Sequence, residues 1–392
     1  MSDAYILAGC RTPIGRLLGS LATVPSPKLG AIAVGEAVRR AGLPVERVDE
    51  VIMGCVLPAG LGQAPARQAA LGAGLPNTVA ALTINKVCGS GLKAVTLASQ
   101  AIRAGDAQCI VAGGMESMTR APFLLTGARE GWKFGQQTAL DSMQNDGLWC
   151  AFEDVGMGVE ADYIAASRGV SRADQDHFSV ESHQRAVAAA AAGKFNDEIV
   201  PVVIASRKGD TLVNRDEGPR ADTSLDVLAK LRPSFGADGT VTAGNASQIS
   251  DGAAAVVVAS AEIAREYRSP LKARIVATAT SGVAPKEIFI APVTAVQKVL
   301  EKARLTMKDI DLVELNEAFA AQCLACMRPL DLSPAKTNVN GGAIALGHPI
   351  GASGARVLVT LLYALADRGL KRGLASLCLG GGNAVAMIIE RE

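Results

Sequence analysis

A glycine-rich stretch near the end of the chain contains one of its three histidines in a setting suited to chemistry. It reads Asn338-Val-Asn-Gly-Gly-Ala-Ile-Ala-Leu-Gly-His-Pro-Ile-Gly-Ala-Ser-Gly-Ala-Arg356. Glycine lets backbone approach a ligand closely or turn at positive φ, and Pro349 suits the first position of a helix, where no N–H donor is needed. We therefore expect His348 at the start of a helix over residues 350–368. There the glycines could cradle a phosphate, or the imidazole could act as a general base.

Cys88 is the second candidate, within Asn85-Lys-Val-Cys-Gly-Ser-Gly-Leu-Lys-Ala94 at a predicted strand-to-helix junction. The helix dipole and unpaired N–H groups at such a junction favour a thiolate, which predicts a lowered pKa and a nucleophile. One alternative is a small buried hydrophobic residue. Another is a dinucleotide site, because Gly89-Ser-Gly-Leu-Lys-Ala94 matches G-x-G-x-x-A. Asn85 and Lys86 disfavour that site, since the first strand of a dinucleotide fold should be apolar.

Two further candidates follow predicted strands. Cys378 precedes Gly380-Gly-Gly382, whose N–H groups could stabilise an oxyanion, and open α/β sheets place ligands at such strand ends. Asn316 ends the strand Asp311-Leu-Val-Glu-Leu. Core packing for Cys378 and helix capping for Asn316 are the alternatives.

The other histidines and a C-x-x-C pair are interpreted as structural. His177 and His183 lie in a charged helical stretch, where solvated positions are expected. Cys323 and Cys326 lie in an apolar helical run, which favours two ordinary thiols on a helix face over a redox or metal site. No histidine pair has metal-ligand spacing and no acidic cluster indicates magnesium, so no metal is predicted.

These candidates need elements to position them, and strand-like runs alternate with Ala-rich helical runs in both halves. The alternation predicts an α/β fold with parallel sheets covered by helices. The first predicted strand starts at residue 4. The other predicted strands cover residues 50–56, 81–87, 108–112, 274–279, 312–315, 375–379 and 384–389. Predicted helices cover residues 30–41, 90–104, 293–303 and 350–368.

The two halves also resemble each other in order, which predicts an internal duplication. Residues 48–54 resemble 310–316, Gly89-Ser-Gly91 resembles Ala352-Ser-Gly354, and residues 111–114 resemble 378–382. A pseudo-twofold axis between the halves would bring both helix starts and both glycine-rich strand ends to one central place. Residues 119–245 are charged and rich in turns, and they contain both tryptophans, which predicts an insertion.

Length and composition limit the domain organisation and the classes of partner. A chain of 392 residues exceeds the size at which one core usually stops growing. We predict an N-terminal core (1–118 with 246–268), an inserted loop domain (119–245) and a C-terminal core (269–392). A net charge of +1 argues against nucleic acid or an anionic membrane as partner.

A cytoplasmic location is expected from the ends of the chain and from its cysteines. The first residues lack the composition of a leader peptide, and the longest apolar run, 252–259, is too short to span a bilayer. Eight cysteines without framework spacing fit reduced thiols.

Taken together, several segments resemble the thiolase family, in that family's order, over residues 4–390. They are Val-Cys-Gly-Ser-Gly-Leu-Lys-Ala, Gly-Gly-Met-Glu-Ser-Met, Ala-Gly-Asn-Ala-Ser, Asn-Glu-Ala-Phe-Ala, the glycine-rich stretch around His348, and Cys-Leu-Gly-Gly-Gly. The pattern is most similar to the acetyl-CoA acetyltransferase branch. The resemblance implies a thiolase-like fold of duplicated α-β-α-β-α layers, with the inserted loop domain covering CoA.

The resemblance also implies a reaction and the residues that perform it. A 3-oxoacyl-CoA would be cleaved by CoA, or two acetyl-CoA molecules joined, through an acyl-enzyme with ping-pong kinetics. Cys88 would be the acylated nucleophile, His348 would activate it, and Cys378 would be the acid/base for the α-proton. Asn316 would hold a water that, with His348, stabilises the enolate oxygen. The N–H groups of Cys88 and Gly380 would form a second oxyanion hole. No cofactor is implied, since CoA thioesters are the substrates.

Substrate contacts are implied at matching positions, with three departures from the family pattern. The CoA contacts would be Arg220, Phe235, Ala243 and Ser247, and the acyl end would be lined by Leu148, Met157, Ala318 and Phe319. Gly156 replaces a histidine that usually contacts pantetheine. His183 stands where glutamine is commoner, and could partly replace that contact. The family's Met-Gly-x-Gly-Pro is here Ile288-Phe-Ile-Ala-Pro292.

The departures leave two enzyme activities and one non-enzymatic role open. The alternatives to an acetyl-CoA acetyltransferase are a broader-chain 3-ketoacyl-CoA thiolase of fatty-acid degradation and an inactive acyl-CoA-binding scaffold. The scaffold is disfavoured because Cys88 and His348 are both retained. A β-ketoacyl synthase is disfavoured because its second active-site histidine is absent. The length of the loop at residues 120–148 resembles the tetrameric branch, which predicts a homotetramer rather than a dimer.

Overall fold

The computed structural model describes residues 3–207, 209–267 and 269–392. Strands from both halves form one mixed sheet in the order β14-β15-β16-β13-β1-β12-β5-β3-β4, with β2 paired to β12. They are β1 (Ala4–Arg11), β2 (Gly15–Arg16), β3 (Glu50–Gly54), β4 (Ala80–Ile84), β5 (Cys109–Ser117), β12 (Ser250–Ser260), β13 (Ala273–Gly282), β14 (Leu312–Leu315), β15 (Arg372–Leu379) and β16 (Asn383–Arg391).

In the described part of the chain, three small two-stranded sheets lie between β5 and β12. They are β6 (Phe123–Leu124) with β7 (Leu140–Asp141), β8 (Trp149–Cys150) with β9 (Val155–Gly156), and β10 (Val202–Ile204) with β11 (Thr211–Val213). The helices are α1 (Ser26–Ala41), α2 (Pro65–Gly72), α3 (Ser90–Ala104), α4 (Met157–Ser167), α5 (Arg172–Ala191), α6 (Leu225–Leu228), α7 (Ala261–Glu266), α8 (Ala291–Ala303), α9 (Ala320–Leu330), α10 (Ala343–Leu346) and α11 (Ile350–Asp367).

The prediction of parallel sheets is wrong in part. Strand β3 is parallel to β4 and β5, and β14 is parallel to β15, but the other neighbours in the main sheet are antiparallel. Strand β12 returns beside β5 after the insertion, and β16 returns beside β15 after a short glycine turn. Strand–helix alternation along the chain does not reveal such returns, because strand direction depends on which distant segment supplies the neighbour.

The internal duplication is confirmed by strand order and direction. The series β3-β5-β12-β1 in the first half has the same pattern of one parallel and two antiparallel pairings as β14-β15-β16-β13 in the second. A parallel bridge from Val313 to Thr337 occupies the place of β4 in the second half. The halves join where β1 pairs with β13.

Helices α3 and α11 pack against each other at the centre, within a core shared by strands of both halves. A Cβ atom on Gly91 would lie 2.6 Å from the backbone N of Ala355, and one on Gly354 would lie 2.3 Å from that of Leu92. These reciprocal contacts require glycine on both helices. Helix α11 is long and apolar enough to cross a membrane by composition alone, but 83% of it is buried inside the protein. It is a core helix.

The outer layers and the insertion complete the fold. Helices α1 and α2 cover the first half, and α8 with α9 covers the second. The chain leaves the main sheet after Ser117 and returns at Ser250, close to the predicted insertion at 119–245. Helix α5 of the insertion begins with a capping box between Ser171 and Asp174, and it packs on α9 and α10. The insertion therefore lies against the segment that leads to His348.

Candidate active site

A cavity of about 950 Å³ brings together three of the five residues that were predicted to be catalytic, whereas Asn316 and Gly380 are not among its lining residues. Cys88, His348 and Cys378 all line it, although they come from three separate elements. Most of the predicted substrate contacts line it as well: Leu148, Met157, Phe235, Ala243, Ser247, Ala318 and Phe319.

Cys88 lies on a tight bend just before helix α3. Val87 adopts a left-handed backbone (φ 46°). The Ser90 hydroxyl stabilises the bend, because it accepts from the Lys86 N–H at 2.8 Å and donates to the Val87 carbonyl at 2.7 Å. A Cβ on Gly89 would lie 2.1 Å from the Leu379 side chain. The missing side chain thus lets the Cys88 bend approach the strand that carries Cys378.

The expected lowering of the Cys88 pKa is wrong for this site. Burial raises the pKa of the Cys88 thiol to about 12, and the backbone N–H groups of Cys88 and Gly380 lower it only in part. Desolvation of a thiolate in an apolar site outweighs the helix terminus that sequence reasoning emphasised. The same two N–H groups reach the sulfur. The resting nucleophile is therefore a thiol that needs a base.

His348 is held at the start of α11 as a neutral imidazole. Its backbone N–H donates to the Gln248 carbonyl, and its Nδ1 lies 2.6 Å from the Ser353 hydroxyl oxygen. That hydroxyl lies 2.9 Å from the Pro349 carbonyl and donates its one proton there, so it accepts from Nδ1–H. This assignment, inferred from the hydrogen bonds, leaves Nε2 as an acceptor, and Nε2 has no partner among the described residues.

The electrostatics of His348 keep it unprotonated. Burial, with a smaller contribution from the nearby Arg356 guanidinium, lowers its pKa to about 3. A neutral imidazole with a free Nε2 beside a protonated thiol is an arrangement for general-base catalysis.

Cys378 lies at the end of strand β15, just before the turn of Gly380 to Gly382. Gly381 and Gly382 have φ values of 76° and 81°, which only glycine adopts readily. Burial raises the pKa of the Cys378 thiol well above its usual value, and the neighbouring Cys88 raises it further. Two thiols and one imidazole therefore share a site in which every group is neutral at rest.

Asn316 follows strand β14 and is buried. Its backbone N–H donates to the Ser376 carbonyl at 3.0 Å, so the residue is fixed to β15. Its side-chain Oδ1 and Nδ2 make no hydrogen bond within the described part of the chain. Buried amide groups are normally satisfied, so this one is available to a water or to a substrate oxygen.

Sequence reasoning missed Glu116, a buried carboxylate that connects the two halves at the site. It accepts backbone N–H groups from Val56 and Leu57 in the first half and from Gly351 at the start of α11. Burial raises its pKa to about 7, against the lowering by those N–H groups. Its place in the Gly-Gly-Met-Glu-Ser-Met segment was the one available signal.

Two predicted contacts lie away from the cavity lining. Arg220 is exposed, and its backbone N–H donates to His183 Nδ1 at 3.1 Å. Arg16, which sequence reasoning did not select, is the arginine among the lining residues described.

The solvated position expected for His183 is wrong, because its helix face packs inward; burial lowers its pKa to about 4. His177 is exposed, as expected.

His183 does not line the cavity, so it does not replace the histidine side chain that is absent at Gly156. The C-x-x-C pair forms part of helix α9, where Cys323 and Cys326 are buried free thiols as expected.

Three aromatic rings line one wall of the cavity, and two of them, Phe289 and Phe319, pack in the cluster that includes Cys378. The Phe289 and Phe319 ring centroids are 5.1 Å apart, and those of Phe235 and Phe319 are 6.4 Å apart, both edge to face. Ile288 and Phe289, from the departure segment 288–292, line the cavity and are buried. They pack with Cys378 in one apolar cluster, which limits the space for an acyl chain.

Comparisons with known proteins agree along the whole chain. Family models described as "Thiolase, N-terminal domain" and "Thiolase, C-terminal domain" match residues 4–262 and 269–391. The chain is 52% identical to an acetyl-CoA acetyltransferase of Pseudomonas aeruginosa over 393 residues, covering 100% of both. It is 54% identical to one of Chromobacterium violaceum over 390 residues, covering 99% of this chain and 100% of the relative. The crystal structure of the Bacillus anthracis acetyl-CoA acetyltransferase superposes with a TM-score of 0.97 at 41% identity, covering 100% of this chain and 99% of that one.

Proposed function

The chain belongs to the thiolase family, and from that premise we propose that it is an acetyl-CoA acetyltransferase. It joins two acetyl-CoA molecules into acetoacetyl-CoA and CoA, or cleaves acetoacetyl-CoA in reverse. The observation that carries the proposal is the convergence of Cys88, His348 and Cys378 on one cavity, with the Gly380 N–H directed at the Cys88 sulfur. Full-length relatives with this activity name support the substrate.

The first half-reaction acylates Cys88. His348 Nε2 takes the proton of the Cys88 thiol, and the resulting thiolate attacks the thioester carbonyl carbon. The carbonyl oxygen then accepts hydrogen bonds from the backbone N–H groups of Cys88 and Gly380. The C–S bond to CoA then breaks, and the leaving CoA thiolate takes the proton of Cys378. The acetyl group remains on Cys88, while the Cys378 thiolate faces the His348 imidazolium.

The second half-reaction forms the C–C bond. The Cys378 thiolate removes an α-proton from a second acetyl-CoA, and the enolate oxygen is stabilised by the imidazolium and by a water held at Asn316. The α-carbon attacks the acetyl group, and Cys88 departs as a thiolate that recovers its proton from His348. Both thiols end protonated, so the cycle balances.

Broader-chain 3-ketoacyl-CoA thiolysis remains the second candidate function. Gly156 leaves more room in the wall than a larger residue would, whereas Ile288 and Phe289 reduce the space beside Cys378. A cytoplasmic homotetramer, with the exposed apolar residues of the loop at 120–148 at the contact between dimers, is the assembly we propose. Phe123, Leu125 and Phe134 are exposed there.

Trapping the acyl-enzyme tests the mechanism. Intact-mass measurement after incubation with acetyl-CoA should show one added acetyl group on the wild type and on Cys378→Ser, but none on Cys88→Ser. Cys378→Ser should also lose exchange of the α-protons of acetyl-CoA with solvent. Retained exchange in that variant, or acylation of Cys88→Ser, would refute the assigned roles.

Thiolysis rates for 3-oxoacyl-CoAs of increasing chain length test the substrate. We expect the acetoacetyl thioester to have the highest kcat/KM. A maximum at longer chains would favour the fatty-acid thiolase, and no turnover of any acyl-CoA would favour the inactive scaffold.

A further inference from the structure

Trp149 stands in the wall of the active-site cavity, and neither the mechanism nor the predicted substrate contacts use it. It lines the cavity mouth and is 37% exposed, although tryptophan is usually much more buried. Its neighbour Leu148 packs deeper, in the cluster that includes Cys88. Trp149 therefore lies farther from the reacting sulfur than the acyl end of the cavity does.

The indole ring is held in place by the β8–β9 hairpin. Its Nε1 donates to Asp154 Oδ1 at 2.9 Å, and the Asp154 N–H donates to the Cys150 carbonyl, which closes the turn. Asp154 adopts a left-handed backbone (φ 55°), a conformation that Asp tolerates better than most residues. The polar edge of the ring is thus satisfied within the protein, and its faces remain for apolar contact.

Gly156 leaves one face of the ring uncovered. Trp149 pairs directly with Gly156 in the hairpin, and a Cβ there would lie 3.8 Å from the indole. Two residues later, a Cβ on Gly158 would lie 2.1 Å from the Phe235 ring. Phe235 also lines the cavity and is 43% exposed. Gly156 and Gly158, on either side of Met157, therefore let two aromatic rings border the same mouth.

We propose that Trp149 is a specificity-determining residue that packs its indole face on the pantetheine arm of CoA and so selects pantetheine-bearing thioesters over shorter ones. The inference rests on the proposed function for its substrate. Pantetheine is a slender chain of amides and methylenes, which suits a slot between aromatic faces. The position at the mouth, beyond Leu148, matches the part of the arm distal to the cysteamine.

Truncated substrates locate the contact. Trp149→Ala should raise KM about tenfold for acetoacetyl-CoA and acetoacetyl-pantetheine, with kcat within about twofold. KM for acetoacetyl-N-acetylcysteamine, which ends before the ring, should change less than twofold. Trp149→Phe keeps a ring and should recover most of the loss. A defect confined to acetoacetyl-CoA would place the ring on the nucleotide, and an equal defect with all three would indicate a merely structural role; either result overturns the proposal.

Fluorescence provides a binding test that does not need turnover. The chain has two tryptophans, so Trp132→Phe reports Trp149 alone and Trp149→Phe reports Trp132 alone. Trp132 is a matched control, since it is also partly exposed but does not line the cavity. Pantetheine and CoA should each shift the emission of Trp132→Phe and leave that of Trp149→Phe unchanged. Unchanged emission in Trp132→Phe at saturating CoA would overturn the inference.

The two proposals fail separately. A wild type that turns over acetoacetyl-CoA while Trp149 emission stays constant would refute the role of Trp149 and leave the proposed function intact. A protein that binds CoA with a Trp149 response but turns over no acyl-CoA would refute the proposed function and support the contact.

Discussion

Helix α3 in the first half begins with Ser90-Gly91, and helix α11 in the second carries the same Ser-Gly pair in its first turn, at Ser353-Gly354. Each serine stabilises the chain just before its helix. Ser90 accepts from the Lys86 N–H and donates to the Val87 carbonyl, so it fixes the backbone that presents Cys88. Ser353 donates to the Pro349 carbonyl and accepts from the His348 ring, so it fixes a side chain. A duplicated helix start thus supplies a nucleophile in one half and its base in the other.

The glycine-rich strand ends differ in the same way. Gly113 and Gly114 lie inside strand β5, which continues to Ser117 before the long insertion leaves. Gly380 to Gly382 form the turn between β15 and β16, so the N–H of Gly380 is free to reach Cys88. The connection that follows the strand, rather than the strand itself, decides whether the glycines serve packing or chemistry.

The largest effect is expected where the two helices touch. Gly91→Ala and Gly354→Ala each place a methyl group against backbone of the opposite helix, which cannot move away, and each should lower the free energy of unfolding by about 3 kcal/mol. Urea denaturation measures this. Gly236→Ala is the control, because no atom lies within 4 Å of its added Cβ, and it should cost less than about 0.5 kcal/mol. Markedly unequal losses at the two sites would break the proposed equivalence of the helix starts.

Next in size is the contrast between the two serines. Ser353→Ala removes the acceptor that orients His348 Nδ1, and kcat should fall about tenfold, equivalent to about 1.4 kcal/mol. Ser90→Ala acts on the backbone bend, so it should lower the free energy of unfolding by about 1 kcal/mol while the acylation rate per folded molecule stays within about threefold. Single-turnover acylation with melting curves separates the two. If both variants lost acylation rate to a similar extent, the two serines could not be divided into one that orients His348 and one that stabilises the backbone at Cys88.

A smaller effect is expected in the glycine turn. Gly381→Ala forces alanine into φ 76° and should cost about 1 kcal/mol of stability. The added Cβ would meet the exposed Phe152 ring, which can move. Gly114→Ala meets the Gly351 carbonyl at 1.9 Å and should cost more. If Gly381→Ala lowered the free energy of unfolding more than Gly114→Ala in urea denaturation, the turn of Gly380 to Gly382 would have a packing role at least as strong as that of the glycines inside strand β5.

The last comparison concerns pH. The folded-state pKa of His348 is lowered to about 3, whereas an unfolded histidine titrates near 6.5, so below pH 6.5 the unfolded chain binds more protons and stability falls with falling pH. The free energy of unfolding should therefore drop more steeply from pH 7 to 5 in the wild type than in His348→Asn, which cannot titrate there. Parallel curves for the two proteins would show that His348 is not held neutral by burial.

Local patterns predicted much of the framework. Helix α3 and strand β14 begin and end at the predicted residues, and α11 ends one residue before its predicted end. Hydrophobic periodicity and the Gly-Pro context of His348 act over a few residues, so they can be read from the chain. The three candidates Cys88, His348 and Cys378 do lie on one cavity.

Other parts of the site could not be assigned from local patterns. Trp149 lines the cavity beside its strand partner Gly156, and Glu116 accepts N–H groups from both halves. Arg16, not Arg220, lines the cavity. The contacts of Glu116 join residues far apart along the chain, and Trp149 depends on a hairpin partner seven residues away.

The sequence by itself determined which residues could do chemistry, where the elements begin, and that the chain is duplicated, because these follow from residue type and short-range spacing. The tertiary structure decided the direction of the strands and the protonation of the site. Cys88 shows why: its helix start predicted a thiolate, but the apolar walls contributed by both halves raise its pKa to about 12. Desolvation depends on everything packed around a group, so it can only be known once the halves have met.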